Sequence, residues 1–137
     1  MISPAELGRH RWVSLAFYEG ALAAFRRRLA GEALFVVVSD DPQWCEAQPL
    51  FHASDVTVTR FAPRDSPLHD LALLAACDHN VVSLGTFGWW GAWLAGGQVL
   101  YHQEFEPNHR INVDGKAVPA DYYPRQWIDA DANTSRF

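Results

Sequence analysis

The sequence predicts an α/β domain of the Rossmann-like, three-layer type, with a mostly parallel sheet covered by helices on both faces. Two observations indicate this class. Segments with helical spacing of apolar residues alternate with strand-like segments from about residue 12 to residue 101. The run Leu34 to Val38 is continuously apolar and β-branched, which is typical of a parallel strand buried on both faces. Such alternation favours right-handed crossovers between parallel strands.

Composition limits the function classes. The chain has 137 residues, 49% of them hydrophobic, which suits one compact domain over residues 1–137. A formal net charge of −5 argues against a nucleic-acid partner, and we interpret the basic run Arg26 to Arg28 as a solvated helix face. No apolar run approaches the ~18–20 residues of a membrane span, so this segment is expected to be soluble as written and to make no membrane contact itself.

Metal and disulfide chemistry have little support in the pattern. The two cysteines, Cys45 and Cys77, form neither a disulfide framework nor a zinc motif, and we interpret both as buried thiols. The four histidines other than His69 and His79 show no metal-ligand spacing such as H-x-x-x-H. We therefore predict no metal site.

Each element follows from its own signals. Helical spacing runs from about Trp12 to Ala30, with Gly31 as a stop signal. Alternation of valine and threonine within Asp55 to Arg60 predicts a strand near a sheet edge. The remaining predictions are a strand at Leu34 to Val38, helices at Pro42 to Ala47, Leu68 to Ala76 and Phe87 to Ala95, and strands at Asn80 to Leu84 and Val99 to Tyr101. Between them lie a loop at Ala62 to Pro67, a turn at Gly85 to Gly88 and a turn-rich stretch at Glu104 to Asp121, after which Tyr122, Tyr123, Pro124 and Trp127 are expected to pack back on the domain.

The glycine-bracketed turn after the strand Asn80 to Leu84 is the strongest candidate site. Glycine allows the backbone to approach a ligand, and Ser83 and Thr86 place hydroxyl groups beside the unpaired N–H groups of the following helix. A diphosphate would fit such a turn. A tight strand-to-helix connection that binds nothing is the alternative, and the turn alone leaves both open.

Three carboxylates are further candidates for site residues. Asp70 is close to the N-terminus of its helix, where it could complement the helix dipole or accept hydrogen bonds from a guanine edge or a ribose hydroxyl. Asp40 and Asp41 follow a strand, and because adjacent side chains point in different directions, we expect at least one of them to cap the next helix. His79, before a buried strand, is interpreted as structural.

Three tryptophans occupy the helix after the turn. Trp89 and Trp93 are four residues apart and share a face, whereas Trp90 lies about a hundred degrees away. Large rings on a helix are more often core than ligand platform, so we predict that these rings belong to the core.

Three motifs in this order resemble one family. They are S-D-D-P-x-W-C at Ser39 to Cys45, D-L-A-L-L-A-A-C-D-H-N-V-V at Asp70 to Val82, and G-T-F-G-W-W-G-A-W-L-A-G-G at Gly85 to Gly97. Together they are similar to the α-1,2-fucosyltransferases of glycosyltransferase family 11, over about residues 15 to 130. Any one motif alone would be weak evidence.

The resemblance implies a specific activity. Such enzymes transfer L-fucose from the donor GDP-fucose to the 2-hydroxyl of a terminal galactose on a glycan acceptor, with inversion and without a metal or other cofactor. It also implies a GT-B arrangement, of which this chain would be the C-terminal, donor-binding half. By this resemblance the donor nucleotide would be bound by Asp70 at the guanosine and by Ser83, Gly85, Thr86 and Phe87 around the diphosphate, with Asp40 and Asp41 at the cleft rim. It assigns no catalytic base.

The sequence departs from the family pattern at one place. The resemblance implies an H-x-R-x-G-D motif upstream of the first helix, whereas Gly8 to Trp12 reads G-R-H-R-W. We therefore expect this chain to be part of a longer enzyme, and two interpretations stay open: a donor-binding portion of a fucosyltransferase, or a non-catalytic nucleotide-binding or structural module. An animal-type parent would be a Golgi membrane enzyme with this segment on the lumenal side.

Overall fold

Five short strands in two parallel ladders form the centre of the fold. The computed structural model describes residues 13–60, 67–103, 119–130 and 137, and the statements below concern those residues. One ladder pairs β1 (Phe35–Val37) with β2 (Val56–Val58), and the other has the order β3 (Asn80–Val82), β4 (Val99–Tyr101) and β5 (Ile128–Asp129). The predicted parallel α/β class is confirmed.

The helices lie close to their predicted positions. They are α1 (Leu15–Arg28), α2 (Pro42–Glu46), α3 (Pro67–Ala76), α4 (Thr86–Ala95) and α5 (Pro119–Tyr122), with a 3-10 helix at Pro49–His52. The 3-10 helix and β5 were not predicted, because four and two residues are too short to show a periodicity. Most of the predicted loop at 62–67 and of the turn-rich stretch at 104–121, as well as the segment Gly8 to Trp12, lies outside the described residues.

Helix α1 packs over both ladders. Ala21, Ala24 and Phe25 are buried against Leu100 at the middle of β4. Phe35 of β1 packs against the same cluster, so one helix face connects the two ladders. Because the ladders share no strand among the described residues, this packing holds them together.

The opposite face of the second ladder is covered by α4. Side chains alternate along β4, so that Val99 and Tyr101 point away from Leu100 and pack with Ala92 of α4 and with Trp127. Helices on both faces of a parallel ladder make the three predicted layers.

Two predictions for the first half of the chain are corrected. The strand predicted at Leu34 to Val38 is not buried on both faces, because β1 is half-buried along its length and Leu34 is 70% exposed. The solvated face is present at Arg27 and Arg28, which are exposed, whereas Arg26 is half-buried and paired. Its Nε and one Nη lie 2.7 and 2.8 Å from the two carboxylate oxygens of Asp55, a bidentate pair that lowers the pKa of Asp55.

The cysteines are free thiols, as expected. Cys45 is buried, but Cys77 is only half-buried, so that interpretation is correct for one of them. In the described part of the chain, no helix is both long enough and apolar enough to cross a membrane.

Candidate functional site

The direction of α1 defines one edge of the fold. Along α1, the Phe17 ring lies 5.3 Å from the ring of His102, which follows β4, the parallel neighbour of β3. The Phe25 ring stacks on His79, which precedes β3, with 5.5 Å between ring centroids. Near the other end of α1, Arg26 lies over the ring of Phe35 at the start of β1, 5.3 Å from its centroid. Helix α1 is therefore antiparallel to both β1 and β3, and the carboxyl ends of these strands lie on the same side. We call this side the carboxyl edge.

Three helices begin at the carboxyl edge. Helix α4 follows the end of β3 directly, α1 begins there for the reason just given, and α3 runs beside α4 toward the start of β3, where the Asn80 amide donates to the Leu74 carbonyl at 3.1 Å. Each helix N-terminus carries partial positive charge and unpaired N–H groups. An anion such as a diphosphate is therefore favoured at this edge over the opposite one.

Gly85 sets the geometry of the predicted turn. It precedes α4 with φ +85° and ψ 173°, a backbone region that is essentially restricted to glycine. Gly85, Thr86 and Phe87 are exposed, and Ser83 is half-buried. The predicted turn is too long, because α4 already begins at Thr86 and Gly88 is helical. The Thr86 hydroxyl and the Phe87 N–H consequently belong to the first helical turn.

Asp70 lies beside this first turn. In the packing of α3 against α4, a Cβ placed on Gly91 would be 2.6 Å from Leu74 Cβ, so these two positions are in direct contact. Asp70 lies four residues before Leu74 on α3, and Phe87 lies four residues before Gly91 on α4. Each is therefore about 6 Å along its helix axis from the contact, and the two residues are at the same level on neighbouring helices. Asp70 is half-buried there. Asp70, Ser83, Gly85, Thr86 and Phe87 thus lie along one edge, and their roles toward a nucleotide stay predictions.

The paired aspartates after β1 have separate positions. Asp41 caps α2, since its carboxylate accepts a hydrogen bond from the Trp44 N–H at 3.0 Å, which confirms the capping expected for at least one of them. Ser39 Oγ accepts from the Asp41 N–H at 3.1 Å. Asp40 is exposed. Their proposed place at the rim of a cleft stays a prediction.

Two weakly acidic side chains, the half-buried Tyr18 and the buried Cys45, pack in one cluster beside α1. Burial raises the pKa of the Tyr18 phenol. Burial also raises the pKa of the Cys45 thiol, and Asp41 and Asp40 raise it further against a hydrogen bond with Ser39. Both groups remain protonated at neutral pH, so neither is an activated nucleophile.

His79 has the structural role predicted for it. Its Nδ1 accepts a hydrogen bond from the Gln98 N–H at 3.2 Å, and its ring stacks on Phe25. Among the residues that the structure describes, no three histidine, cysteine, aspartate or glutamate side chains are grouped so that they could hold a metal ion.

The core interpretation of the tryptophans is correct only for Trp89. Its ring packs against the core and its indole N–H donates to the Tyr122 carbonyl at 2.9 Å, whereas Trp90 and Trp93 are 53% and 50% exposed. Trp89 and Trp93 share a face as expected, with stacked rings 5.3 Å apart. Helix α4 turns its small residues, Gly91 and Ala92, toward its neighbours, and the close approach leaves no room there for large rings.

A cavity of about 230 Å³ lies at the other end of α4, lined by Trp93, Gly97, Gln126 and Trp127 among others. It is about ten residues, or about 15 Å, along the helix from Gly85. It is therefore separate from the carboxyl edge.

Gly85→Ala tests the local geometry of the edge. We expect it to destabilise the chain by about 1–3 kcal/mol, because an alanine cannot adopt this φ and ψ without strain. Gly88→Ala is the matched control, since its Cβ would make an ordinary 3.5 Å contact with Val82 in a helical position. Thermal unfolding followed by circular dichroism measures both. Equal unfolding midpoints for the two variants would contradict the required conformation at Gly85.

The parallel ladders, the helices on both faces and the helix N-termini at the carboxyl edge define an α/β domain of the Rossmann-like class. Comparison with known families makes the assignment specific. Residues 10–129 match the model of glycosyl transferase family 11, and the chain belongs to that family.

Named relatives belong to one group of enzymes. The chain is 38% identical to mouse galactoside 2-alpha-L-fucosyltransferase Sec1 over 118 residues, which are 85% of this chain and 31% of the mouse protein. It is 33% identical to rat galactoside alpha-(1,2)-fucosyltransferase 2 over 119 residues, or 79% of this chain and 33% of that protein. Human galactoside alpha-(1,2)-fucosyltransferase 1 is 37% identical over 90 residues, or 66% of this chain and 24% of that protein. The chain thus spans about a third or less of these relatives. No solved structure matches it.

Proposed function

We propose that this chain is the donor-binding portion of a galactoside α-1,2-fucosyltransferase, which transfers L-fucose from GDP-fucose to the 2-hydroxyl of a terminal galactose on a glycan. Family membership and the names of the relatives support the reaction class. The observation that carries the assignment of this segment is the carboxyl edge, where the Gly85 turn and the first turns of α3 and α4 lie side by side. In an animal-type parent the segment would face the Golgi lumen.

The diphosphate of the donor would lie at the Gly85 turn. The exposed N-terminus of α4 offers backbone N–H groups, and Ser83 and Thr86 add hydroxyl donors on either side of Gly85. When the bond between the fucose carbon and the phosphate oxygen breaks, negative charge grows on the departing GDP. Donors already aimed at that charge stabilise the transition state more than the ground state.

The guanine would be selected by Asp70. Guanine presents a ring N–H and an exocyclic amino group on one edge, and a carboxylate can accept both hydrogen bonds. Adenine lacks that ring N–H, so the same carboxylate would leave one acceptor oxygen unpaired against it. A site built to satisfy a polar edge discriminates strongly against an analogue that lacks the matching donor. Asp70 is half-buried beside Phe87. This favours guanine binding over the alternative role, in which an exposed carboxylate only complements the dipole of its helix.

The reaction would proceed by direct displacement with inversion, without a metal. The galactose oxygen forms its bond to the fucose carbon on the face opposite to the departing GDP, and its proton passes to a base that we assign to no residue of this chain. The competing interpretation, a nucleotide-binding module without catalysis, uses the same carboxyl edge and differs only in turnover.

Calorimetric titration of the 137-residue chain with GDP, GDP-fucose and ADP tests the proposal. We expect GDP and GDP-fucose to bind more tightly than ADP. Asp70→Ala should weaken GDP at least about tenfold and leave ADP unchanged, because a charged hydrogen bond contributes about 1.5–3 kcal/mol. Asp78→Ala, which removes the same charge from an exposed position after α3, is the control and should bind GDP like the wild type.

The proposal is overturned if the chain does not discriminate between guanine and adenine nucleotides. If GDP, GDP-fucose and ADP bind equally weakly, or if Asp70→Ala and Asp78→Ala behave alike, the carboxyl edge is not a guanosine diphosphate site. GDP binding without any transfer of fucose to a galactoside by the full-length protein would favour the non-catalytic interpretation.

A further inference from the structure

We infer that the cavity at the C-terminal end of α4 binds one neutral sugar unit, at a place separate from the candidate nucleotide site. The described residues that line this cavity of about 230 Å³ are Ala92, Trp93, Gly96, Gly97, Gln126 and Trp127. Its volume is below the roughly 300–1,000 Å³ of pockets that hold drug-sized ligands, so it suits a single ring. This inference does not depend on the function proposed above, because it concerns the opposite end of α4.

Tryptophan rings form the apolar part of the wall. Trp127 is buried, whereas Trp93 is 50% exposed. One face of the Trp93 ring is covered by Trp89, since the two rings are stacked with 9° between their planes. Because half of Trp93 is nevertheless exposed, its other face is open to a ligand. A pyranose ring presents a flat face of C–H groups, and such a face packs well on an indole.

Trp89 holds the two lining tryptophans in a fixed arrangement. Its ring lies 5.3 Å from the Trp93 ring and 5.4 Å from the Trp127 ring, measured between centroids. Its indole N–H donates to the Tyr122 carbonyl at 2.9 Å, which fixes its orientation. A wall that is already ordered before binding lowers the entropy cost of taking up a ligand.

Polar groups at the cavity match the hydroxyl groups of a sugar. The side-chain amide of Gln126, an exposed residue, can both donate and accept hydrogen bonds, as a hydroxyl group can. Helix α4 ends at Ala95, directly before Gly96 and Gly97 of the cavity wall. Carbonyl groups in the last turn of a helix lack intrahelical donors, so they can accept hydrogen bonds from a ligand.

Electrostatics favour a neutral ligand. The C-terminal end of a helix carries partial negative charge, which disfavours a phosphate at this end of α4. A cation is the competing ligand, because tryptophan rings also attract ammonium groups. The described residues that line the cavity include no carboxylate to pair with a cation, whereas the Gln126 amide suits hydroxyl groups. A neutral sugar therefore fits the wall better than either ion.

Nitrogen–proton NMR spectra of the 137-residue chain, titrated with lactose, test the inference. Each of the six tryptophans gives an indole N–H signal, which tryptophan-to-phenylalanine variants assign. We expect the Trp93 and Trp127 signals to shift and to reach saturation. The signal of Trp44, which is 40% exposed on α2, should not move.

Trp93→Ala should weaken lactose binding at least about tenfold, because it removes both the stacking surface and its apolar area. Trp90→Ala is the matched control. Trp90 lies three residues earlier on α4 and is 53% exposed, but it does not line the cavity, so its variant should bind lactose like the wild type. Gln126→Ala should weaken binding about three- to tenfold, the range for one hydrogen bond. Because Gln126 is exposed, this variant decides the question even if Trp93→Ala does not fold.

Three results would overturn the inference. They are the absence of saturable shifts at Trp93 and Trp127 with lactose, equal lactose affinities of Trp93→Ala and Trp90→Ala, and wild-type affinity of Gln126→Ala. Saturable shifts with choline in place of lactose would indicate a cation site and overturn it as well. A chain that binds lactose at this cavity but does not bind GDP would support this inference and contradict the proposed function, so the two claims fail separately.

Discussion

Gly97→Ala is expected to remove most of the stability of the chain. A Cβ on Gly97 would lie 1.7 Å from the Asp78 carbonyl oxygen and 2.8 Å from its carbonyl carbon. These are backbone atoms of the connection between α3 and β3, and they cannot move aside like a flexible side chain. We expect a loss of about 4–5 kcal/mol or more, which is a large part of the ~5–15 kcal/mol that stabilises a typical domain.

Neighbouring hydrogen bonds explain why the backbone between α3 and β3 cannot shift away from residue 97. The Asn80 N–H donates to the Gln98 carbonyl at 3.0 Å, and the Gln98 N–H donates to His79 Nδ1 at 3.2 Å. Moving residue 97 away from Asp78 would break both bonds and shift the start of β4. The preceding Gly96 needs glycine for a different reason, because it ends α4 in the left-handed conformation with φ +71°.

Thermal unfolding followed by circular dichroism measures the effect, with Gly20→Ala as the control. Gly20 lies in the interior of α1, and a Cβ there would meet nothing within 4 Å. Because alanine favours a helix interior, Gly20→Ala should stabilise the chain by up to about 1 kcal/mol. A Gly97→Ala variant that unfolds at the wild-type temperature would show that the α3–β3 connection does not pass so close to Gly97.

Leu100→Ala is expected to produce the second largest loss, about 2–5 kcal/mol. Leu100 is completely buried at the middle of β4, the central strand of its ladder. It packs against Ala21, Ala24 and Phe25 of α1, and this is the contact by which α1 covers the second ladder. Truncation of Leu100 would leave a cavity beneath α1. Helix α1 cannot shift to fill this cavity without losing its contacts with the first ladder.

Urea denaturation measures this loss as a lower midpoint with an unchanged slope. Leu34→Ala is the matched control, because Leu34 is 70% exposed and should change stability by less than about 0.5 kcal/mol. Similar midpoints for Leu100→Ala and Leu34→Ala would contradict the packing of α1 on β4. A changed slope would point to loss of the two-state transition instead.

Much of the secondary structure could be predicted because its signals are local. Gly31, the Asp41 cap and the apolar spacing of α1 and α3 act within about one helical turn, and each is visible in the sequence. The exposed rings of Trp90 and Trp93 could not be predicted in the same way. The composition of α4 is apolar on every side, so its spacing does not indicate which side faces the sheet.

The sequence by itself determined the alternation of helices and strands, the glycine at the start of α4 and the motifs that indicate the family, because these depend on residues close together in the chain. Only the tertiary structure decided that Phe25 stacks on His79, that Asp70 lies level with Phe87, and that Gly97 passes against Asp78. These contacts depend on how α1 packs over two separate ladders and how closely α3 approaches α4. Such packing joins residues far apart in the chain, and no local pattern encodes it.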